Sequence, residues 1–330
     1  MKTVITGASG HVGGNLVRAM LDKGRRPHVL VHDDMRALEG LDLERTPADI
    51  FEYDTLLKAF DGADVVYHLA ACISISRADK AIVHKTNVEG VRNVMKACLE
   101  CGVKRVVHFS SIHAYSSQPV DQPIDETRPH ATGDNIPQYD RSKALGEKEV
   151  YKAMDKGLDV VIVNPTGIIG PFDFRPSPMG QVLLNLWHHQ MPGLVVGGFN
   201  WVDVRDVVAG AMAAEEKGRT GEKYLLSGHW QTMKETAQAA ENVSGVKAPG
   251  FVSPMWLARF GAPFSEAFAI LTKSRPLFTK DSLRAIRNHR LISHEKATKE
   301  LGYNPRPFQE TINDTYNWFK ANNRINGQAR

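Results

Sequence analysis

Three glycines, Gly7, Gly10 and Gly13, stand three residues apart between a short apolar run and an amphipathic one. This arrangement constrains the fold more than any other feature of the chain. Lys2-Thr3-Val4-Ile5-Thr6 reads as a buried strand, and Asn15-Leu16-Val17-Arg18-Ala19-Met20-Leu21 carries helical periodicity. A strand must therefore turn sharply into a helix across Gly7-Ala8-Ser9-Gly10-His11-Val12-Gly13. Gly7 suits a tight turn, Gly10 a close approach of backbone N–H groups to an anion, and Gly13 close packing of helix on strand. A helix N-terminus there offers unpaired N–H groups and a positive dipole end to phosphates. The turn, with Ser9, His11 and Val12 between its glycines, is thus expected to cradle a dinucleotide pyrophosphate.

The pattern continues as alternation. Strands are expected at His28–Val31, Asp64–Leu69, Arg105–Phe109 and Asp159–Val163, separated by helical stretches. One of these helices opens at Thr86-Asn87-Val88 and another carries Tyr139. Such alternation predicts an α/β fold: a Rossmann-type doubly wound parallel sheet with helices on both faces. Residues 1–165 are expected to form the dinucleotide-binding domain, with later strands around 195–228 returning to it. After Pro165 the texture changes, with Pro171, Pro176, Pro178 and Pro192 breaking the segment. Residues 166–195 and 229–320 are expected to form a smaller substrate-binding lobe. Within it Trp256, Arg259, Phe260, Phe264, Phe268, Lys273 and Arg275 mix aromatic and basic character. Residues 321–330 read as a frayed tail.

Ligands in such sheets bind beyond the carboxyl ends of the strands. Gly7, Ser111 and Asn164 all fall at strand ends, so they are expected to line one crevice. The second strand ends at His32-Asp33-Asp34, with Arg36 beyond. The adenosine ribose belongs there, roughly 20 residues past the glycines. An acid favours the free 2′-hydroxyl of NAD, and a cation favours the 2′-phosphate of NADP. Both signs are present; the reading leans to NADP.

Tyr139 and Lys143 are one helical turn apart and share a helix face. A phenol titrates near 10 in water, and a fixed ammonium favours its phenolate. At ~4 Å and an effective dielectric of ~20 the attraction is worth roughly 4 kcal/mol. Lys143 is therefore expected to make Tyr139 acidic enough to exchange a proton with a carbonyl or alcohol while hydride moves at the same carbon. A Tyr-x-x-x-Lys pair alone occurs on many helix surfaces, and its weight here comes from the glycine turn.

Composition excludes other classes. A net charge of +4 over 330 residues gives no nucleic-acid footprint. No run approaches the ~18 apolar residues of a membrane span. The first strand begins at residue 2, leaving no room for a signal peptide, so a cytoplasmic location is expected. Cys72, Cys98 and Cys101 are too few for a disulfide framework, and Cys98-Leu99-Glu100-Cys101 lies in an apolar helical run. No cluster has metal-ligand spacing.

The glycine turn, Ser111, and Tyr139 with Lys143 together resemble the short-chain dehydrogenase/reductase superfamily. More narrowly they resemble its extended branch, the NAD-dependent epimerase/dehydratase group. Further motifs fit in order: Asp49-Ile50 beside adenine, Leu69-Ala70-Ala71 at a strand end by the cofactor, and Asn87-Val88-Glu89-Gly90-Val91-Arg92-Asn93. Val202-Asp203-Val204-Arg205-Asp206-Val207 and Glu300-Leu301-Gly302-Tyr303-Asn304-Pro305 complete the set. Asn164-Pro165-Thr166-Gly167-Ile168-Ile169-Gly170-Pro171-Phe172 is similar to dihydroflavonol-reductase-like members; nucleotide-sugar epimerases usually carry asparagine where Gly167 stands. Sugar dehydratases usually carry an acid pair where this chain has Ile112 and His113.

The resemblance implies Ser111, Tyr139 and Lys143 as catalytic residues. It implies cofactor contacts from the glycine turn, Asp49, Ile50, Leu69, Ala70, Ala71, Asn87, Ser110, Lys143, Asn164, Pro165, Thr166 and Gly167. His113 and Arg175 are candidate substrate contacts. The activity implied is NAD(P)-dependent reduction of an aldehyde or ketone, or oxidation of the matching alcohol. The alternatives are a nucleotide-sugar epimerase using bound NAD and a cofactor-binding sensor without turnover. A homodimer through the helices holding Asn87 and Tyr139 is also implied.

Overall fold

The computed structural model describes residues 1–32, 34–74, 79–133, 135–258, 260, 283–284, 286–287 and 291–325. Among these residues the first lobe is built on strands β1 (Thr3–Thr6), β2 (His28–Val31), β3 (Glu44–Pro47), β4 (Val65–His68), β5 (Arg105–Phe109) and β6 (Val160–Pro165). The helices between them are α1 (His11–Asp22), α2 (Tyr53–Phe60), α3 (Lys80–His84), α4 (Val91–Glu100) and α5 (Gln138–Met154). A π-helical turn, Lys85–Gly90, joins α3 to α4, so the helix expected from Thr86 already begins at Lys80.

Alternation of side chains explains why these strands pair as they do. Val4, Val66, Val106 and Val160 point to one face of the sheet and pack with α2, α4 and α5. Ile5, Tyr67, Val107 and Val161 point to the other and pack with α1 and a later helix, α7 (Val204–Lys217). Register pairs each set across the sheet: Val4 faces Val66, Val66 faces Val106, and Val106 faces Val160. Strands apolar on both faces are stable only with a layer on each side. Each such Val or Ile contributes roughly 1.5–3 kcal/mol by leaving water.

The later elements are β7 (Gly167–Ile169), α6 (Pro178–Trp187), β8 (Leu194–Val195), β9 (Gly198–Asp203), β10 (Lys223–Leu226), β11 (His229–Thr232), α8 (Met233–Ser244), β12 (Val252–Ser253), α9 (Glu295–Leu301) and α10 (Phe308–Ala321). All seven strands of the large sheet are parallel, in the order β10-β6-β5-β4-β1-β2-β3. The order reverses between β1 and β4, which opens a crevice beyond their carboxyl ends.

The return expected around residues 195–228 is made by α7 and β10. The strands β8 and β9 stay with the small lobe: β9 pairs with β7 and β11, and β8 pairs with β12. The reason is packing, since Trp201 of β9 is buried with Leu183, Leu184, Trp187, Met233, Ile312 and Phe319. Helix α8 starts on a capping box of Thr232 and Glu235 and ends at Gly245 in the left-handed region. Two of the sequence motifs meet here. The turn after α9 places Arg306 on Asp206 of α7, with Nη2 2.9 Å from Oδ1, while the Tyr303 hydroxyl donates to the Ser227 carbonyl at 2.9 Å.

Beyond α10 the chain folds back as far as Ile325, which is buried, and residues 326–330 lie outside the described residues. Trp187 and Trp201 are core residues, whereas Trp256 and Phe260 are exposed. Arg259, Phe264, Phe268, Lys273 and Arg275 lie outside the described residues. No helix among the described residues is long and apolar enough to cross a membrane.

Candidate active site

The glycine turn wraps the end of β1 at the point where the sheet order reverses. Gly7 has φ +72°, and a Cβ there would lie 2.6 Å from the Ala70 nitrogen. Both conditions require glycine. A Cβ on Gly13 would fall 2.2 Å from the Gly7 carbonyl oxygen, so its absence lets α1 close on the turn. Gly10 differs. It is exposed, its backbone is ordinary extended chain, and a Cβ would meet only the Gly7 oxygen, at 3.3 Å. Its outer side is open. Gly10 is also the N-cap of α1, with no side chain capping the helix and no acid in the first turn. The first N–H groups of α1 are thus left for a ligand anion. Ser9, His11 and Val12 are half-buried around this opening. His11 Nε2 lies 3.0 Å from the Pro171 carbonyl oxygen, and Asn15 donates to the same oxygen at 3.0 Å. The small lobe is thereby tied to the mouth of the cradle.

The strand ends next to the turn are fixed by backbone bonds. Leu69 N donates to Thr6 O at 3.1 Å and Ala70 N to Thr6 Oγ1 at 3.3 Å, while Ala71 beyond them is exposed. Three members of the Asn87–Asn93 motif have mechanical roles. Asn87 is buried; its amide accepts from Cys72 N and donates to Cys72 O, both at 2.9 Å, and donates to Ser142 Oγ at 3.0 Å. Gly90 makes room for Ile50, whose Cδ1 would lie 2.5 Å from a Cβ there. Asn93 donates to the Ile50 carbonyl at 2.9 Å. The Asp49-Ile50 pair is therefore held at the crevice edge.

Beyond β2, His32 is exposed and its Nε2 lies 4.0 Å from Asp49 Oδ2. Asp33 lies outside the described residues. Arg36 is forked onto Asp34, its Nε 2.9 Å from Oδ1, and holds that carboxyl down to about 2. The field of Arg175 also reaches Asp34. Arg175 therefore lies within electrostatic reach of the adenosine side of the crevice. The cause is local. Arg18 of α1 stacks on Phe172 (4.5 Å to the ring centroid) and Phe174 (5.4 Å), drawing the segment before Arg175 against α1.

At the end of β5, Ser111 opens a turn of 3₁₀ helix, and its Oγ accepts the His113 backbone N–H at 3.2 Å. The Ser111 hydroxyl stands near the Tyr139 phenol and favours its ionised form. Tyr139 and Lys143 are both buried, facing inward from α5. Burial pushes the Tyr139 phenol well above its ordinary value; the Ser111 hydroxyl pulls it back in part, while Asp140 and Cys72 push it further up. The Lys143 ammonium, expected to acidify the phenol, donates instead to the Phe109 carbonyl at 3.3 Å. Burial holds the Lys143 amine down from 10.5 to about 8, with Glu147 acting the other way. Sharing a helix face brought the two residues to one place but did not aim the amine at the hydroxyl.

His113 Nδ1 meets Asp140 Oδ1 at 2.9 Å, and its ring stands edge-on to Tyr139 with centroids 5.3 Å apart. Asn164 is fully buried behind the crevice wall. It donates to the Ser111 carbonyl at 3.1 Å and to Glu147 Oε1 at 2.7 Å. Ser110 and Pro165 are buried beside it. Thr166 donates to Asn200 Oδ1 at 2.8 Å, and a Cβ on Gly167 would lie 3.0 Å from the Asn200 carbonyl oxygen. A side chain at 167 would therefore press on β9.

The fold brings together Ser111, Tyr139, Lys143, His113 and Asn87 at one end of the crevice, and the glycine turn, His32 and Arg36 at the other. Sequence reasoning missed Asp140, Glu147 and His130. Their only trace is a helix whose buried side is polar. Cys98 and Cys101 are free thiols, packed as expected. Among the described residues no group of histidines, cysteines and acids could hold a metal.

Comparisons with known proteins place the chain in a family. The model of the NAD dependent epimerase/dehydratase family matches residues 3–227. Sterol demethylase protein B of Methylococcus capsulatus is 34% identical, over 98% of this chain and all of that protein. A putative dihydroflavonol 4-reductase of Synechocystis is 30% identical, over 98% of this chain and 96% of its own length. The crystal structure of gox2253 superposes with a TM-score of 0.87 at 34% identity, covering 98% of this chain and 99% of that one.

Proposed function

Because this chain belongs to the NAD-dependent epimerase/dehydratase family, we propose that it is an NAD(P)-dependent reductase of a small-molecule aldehyde or ketone, with Tyr139 as the proton donor. The observation that carries this reading is the placing of Ser111 at the end of β5 beside the buried Tyr139 and Lys143 of α5, in the sheet whose glycine turn is open at Gly10. A bound nicotinamide cofactor supplies the hydride. The chain supplies the rest.

Ser111 and Tyr139 offer two donors to one carbonyl oxygen, stabilising the charge that develops there. A phenol whose acidity is suppressed by burial keeps its proton at neutral pH, which suits a general acid and hence the reductive direction. Lys143 places a cation below the site, so that the phenolate left after proton transfer has an opposite charge within the same low-dielectric interior. Glycine at 167, where sugar-nucleotide epimerases usually carry asparagine, argues against that activity, and a Cβ there would press on Asn200 of β9. The name of one relative, a putative dihydroflavonol 4-reductase, points the same way.

For the cofactor we propose NADP(H). Asp34 is neutralised by Arg36, and Arg175 and Arg18 stand nearby, so the ribose end of the crevice is cationic. Such a surface suits a 2′-phosphate.

The test follows reduced-cofactor absorbance with panels of carbonyl compounds and of sugar nucleotides. Stoichiometric consumption with a carbonyl supports the reading. Sugar interconversion without net consumption would replace it with an epimerase. Tight cofactor binding without turnover on either panel would leave a sensor.

A further inference from the structure

Glu147 has no solvent exposure, yet no step described so far uses it. A carboxylate taken wholly out of water needs donors or it takes up a proton. His130 Nε2 lies 2.7 Å from Oε2, and Asn164 Nδ2 donates to Oε1 at 2.7 Å. Burial pushes the Glu147 carboxyl up, but the His130 hydrogen bond, the nearby Ser110 hydroxyl and the charges of His130 and Lys223 outweigh it and hold the group below its ordinary range. A full negative charge is therefore fixed beneath the crevice.

Its position matters. Residues 143 and 147 are one turn apart on α5, so both side chains leave the same face. The other titratable groups facing Lys143 supply no anion. His68 comes from β4 and His108 from β5; both are buried, and their rings are 5.3 Å apart. Burial, then the charge of Lys143, holds His68 down to about 3, and burial, His68 and Lys143 push His108 well below its ordinary range. Tyr139, one turn earlier, is a neutral phenol. Around Glu147 stand His130, Lys223 from β10, and the phenols of Tyr115 and Tyr151. Glu149, on the same helix, is occupied by Arg92 and Lys152.

We propose that Glu147, clamped by His130 and Asn164, is a positioning residue: the buried counter-charge that keeps the Lys143 amine protonated beneath the crevice. Asn164 also holds the Ser111 carbonyl, so one carboxylate serves both the cation and the strand end that carries the serine. The inference rests on the reading above, in which Lys143 serves the reaction. Glu147 acts only through Lys143 and the strand end.

The experiment needs neither substrate nor cofactor. The full-length protein is prepared with ¹⁵N-labelled lysine side chains, and the Lys143 Nζ resonance is assigned by its loss in Lys143→Met. Its shift is followed with pH in wild type, Glu147→Gln and Glu147→Ala. The wild-type midpoint is expected near 8. Either folded neutral variant should titrate about one pH unit lower or more, roughly a tenfold change in the protonation ratio. Glu147→Asp, which keeps the charge, should recover part of that displacement. An unmoved midpoint in a folded neutral variant would overturn the proposal, because a purely structural glutamate gives that result. Titrating wild type with NADPH and NADH by fluorescence tests the underlying reading separately. Absence of binding to both would remove the reductase assignment and leave the nitrogen titration still able to decide the role of Glu147.

Discussion

The glycine turn gives the sharpest separation of fold from function, because its glycines are required for different reasons. At Gly13 the space is already filled. An added Cβ would sit 2.2 Å from the Gly7 oxygen and 2.7 Å from Ala8 Cα, both backbone atoms that cannot swing aside. Alanine in a helix interior is ordinarily favoured over glycine by about 1 kcal/mol. Overpacking of this kind costs typically 1–3 kcal/mol and can exceed that where backbone must move. Gly13→Ala is therefore expected to lose roughly 1–3 kcal/mol of stability, against a gain of ~1 if the space were open. Gly10→Ala meets only one oxygen at 3.3 Å, in a backbone conformation any residue adopts. As an N-cap change it should cost no more than about 1 kcal/mol, while its methyl group stands where a pyrophosphate would approach. Urea denaturation of both variants and of wild type, paired with cofactor titration by fluorescence, reads the two effects independently. Gly10→Ala should fold almost as stably as wild type and bind reduced cofactor at least ~10-fold more weakly, about 1.4 kcal/mol. A Gly13→Ala protein as stable as wild type, or a Gly10→Ala protein with undiminished affinity, would refute this account of the turn.

Tyr139→Phe should reduce turnover by about 10²–10⁴-fold on any carbonyl found in the panel, with cofactor affinity unchanged, since only the proton donor is lost; equal activity would reject the role. Lys143 makes stability depend on pH. Its amine binds a proton less readily folded (about 8) than unfolded, so the unfolded state holds more protons between pH 8 and 10.5, and stability rises with pH across that window. Compared with Lys143→Met, wild type should gain up to roughly 3 kcal/mol between pH 7 and 10.5, read from urea midpoints at each pH; a constant difference would contradict burial of the charge. Arg175→Ala should weaken NADPH binding by roughly tenfold, the value of one charge-assisted hydrogen bond, and leave NADH binding nearly unchanged; equal losses for both would place the arginine elsewhere.

How much of this could be read in advance depended on burial. The strands β2 and β5 were legible to the residue because every position packs on one face or the other, and buried parallel strands are continuous apolar runs. The edge strand β3, Glu-Arg-Thr-Pro, is mostly exposed and carries no such signal. It exists because β2 offers it hydrogen bonds. The glycines were legible because backbone conformation and close approach leave few alternatives. Directions were not. Periodicity set Tyr139 and Lys143 on one face, but the end of β5 decided that the amine meets the Phe109 carbonyl. Nor could the sequence place Arg175 beside Asp34, since that depends on two phenylalanines stacking on Arg18, more than 150 positions earlier.

Helix α5 joins these threads. A helix buried between a sheet and a neighbouring helix should turn an apolar stripe inward. This one buries Tyr139, Asp140, Ser142, Lys143 and Glu147. Its closeness to the preceding helical segment is set by Gly146, where a Cβ would lie 2.4 Å from the Asn87 carbonyl oxygen. Apolar residues of similar size at these positions would fold at lower free energy, because none would need desolvated charges matched by donors. Local preference and buried environment thus disagree along one face for about two turns, and such disagreements mark sites kept for chemistry rather than for stability. The partners that make the face tolerable come from four separate stretches of chain: Ser111 and Phe109, Asn87, His130, and Asn164. His130 and Asn164 flank α5 in sequence, but Asn87, Phe109 and Ser111 come from earlier stretches, so the site is complete only once the sheet has assembled. The polar face of α5 is satisfied only against strand ends that stand in register.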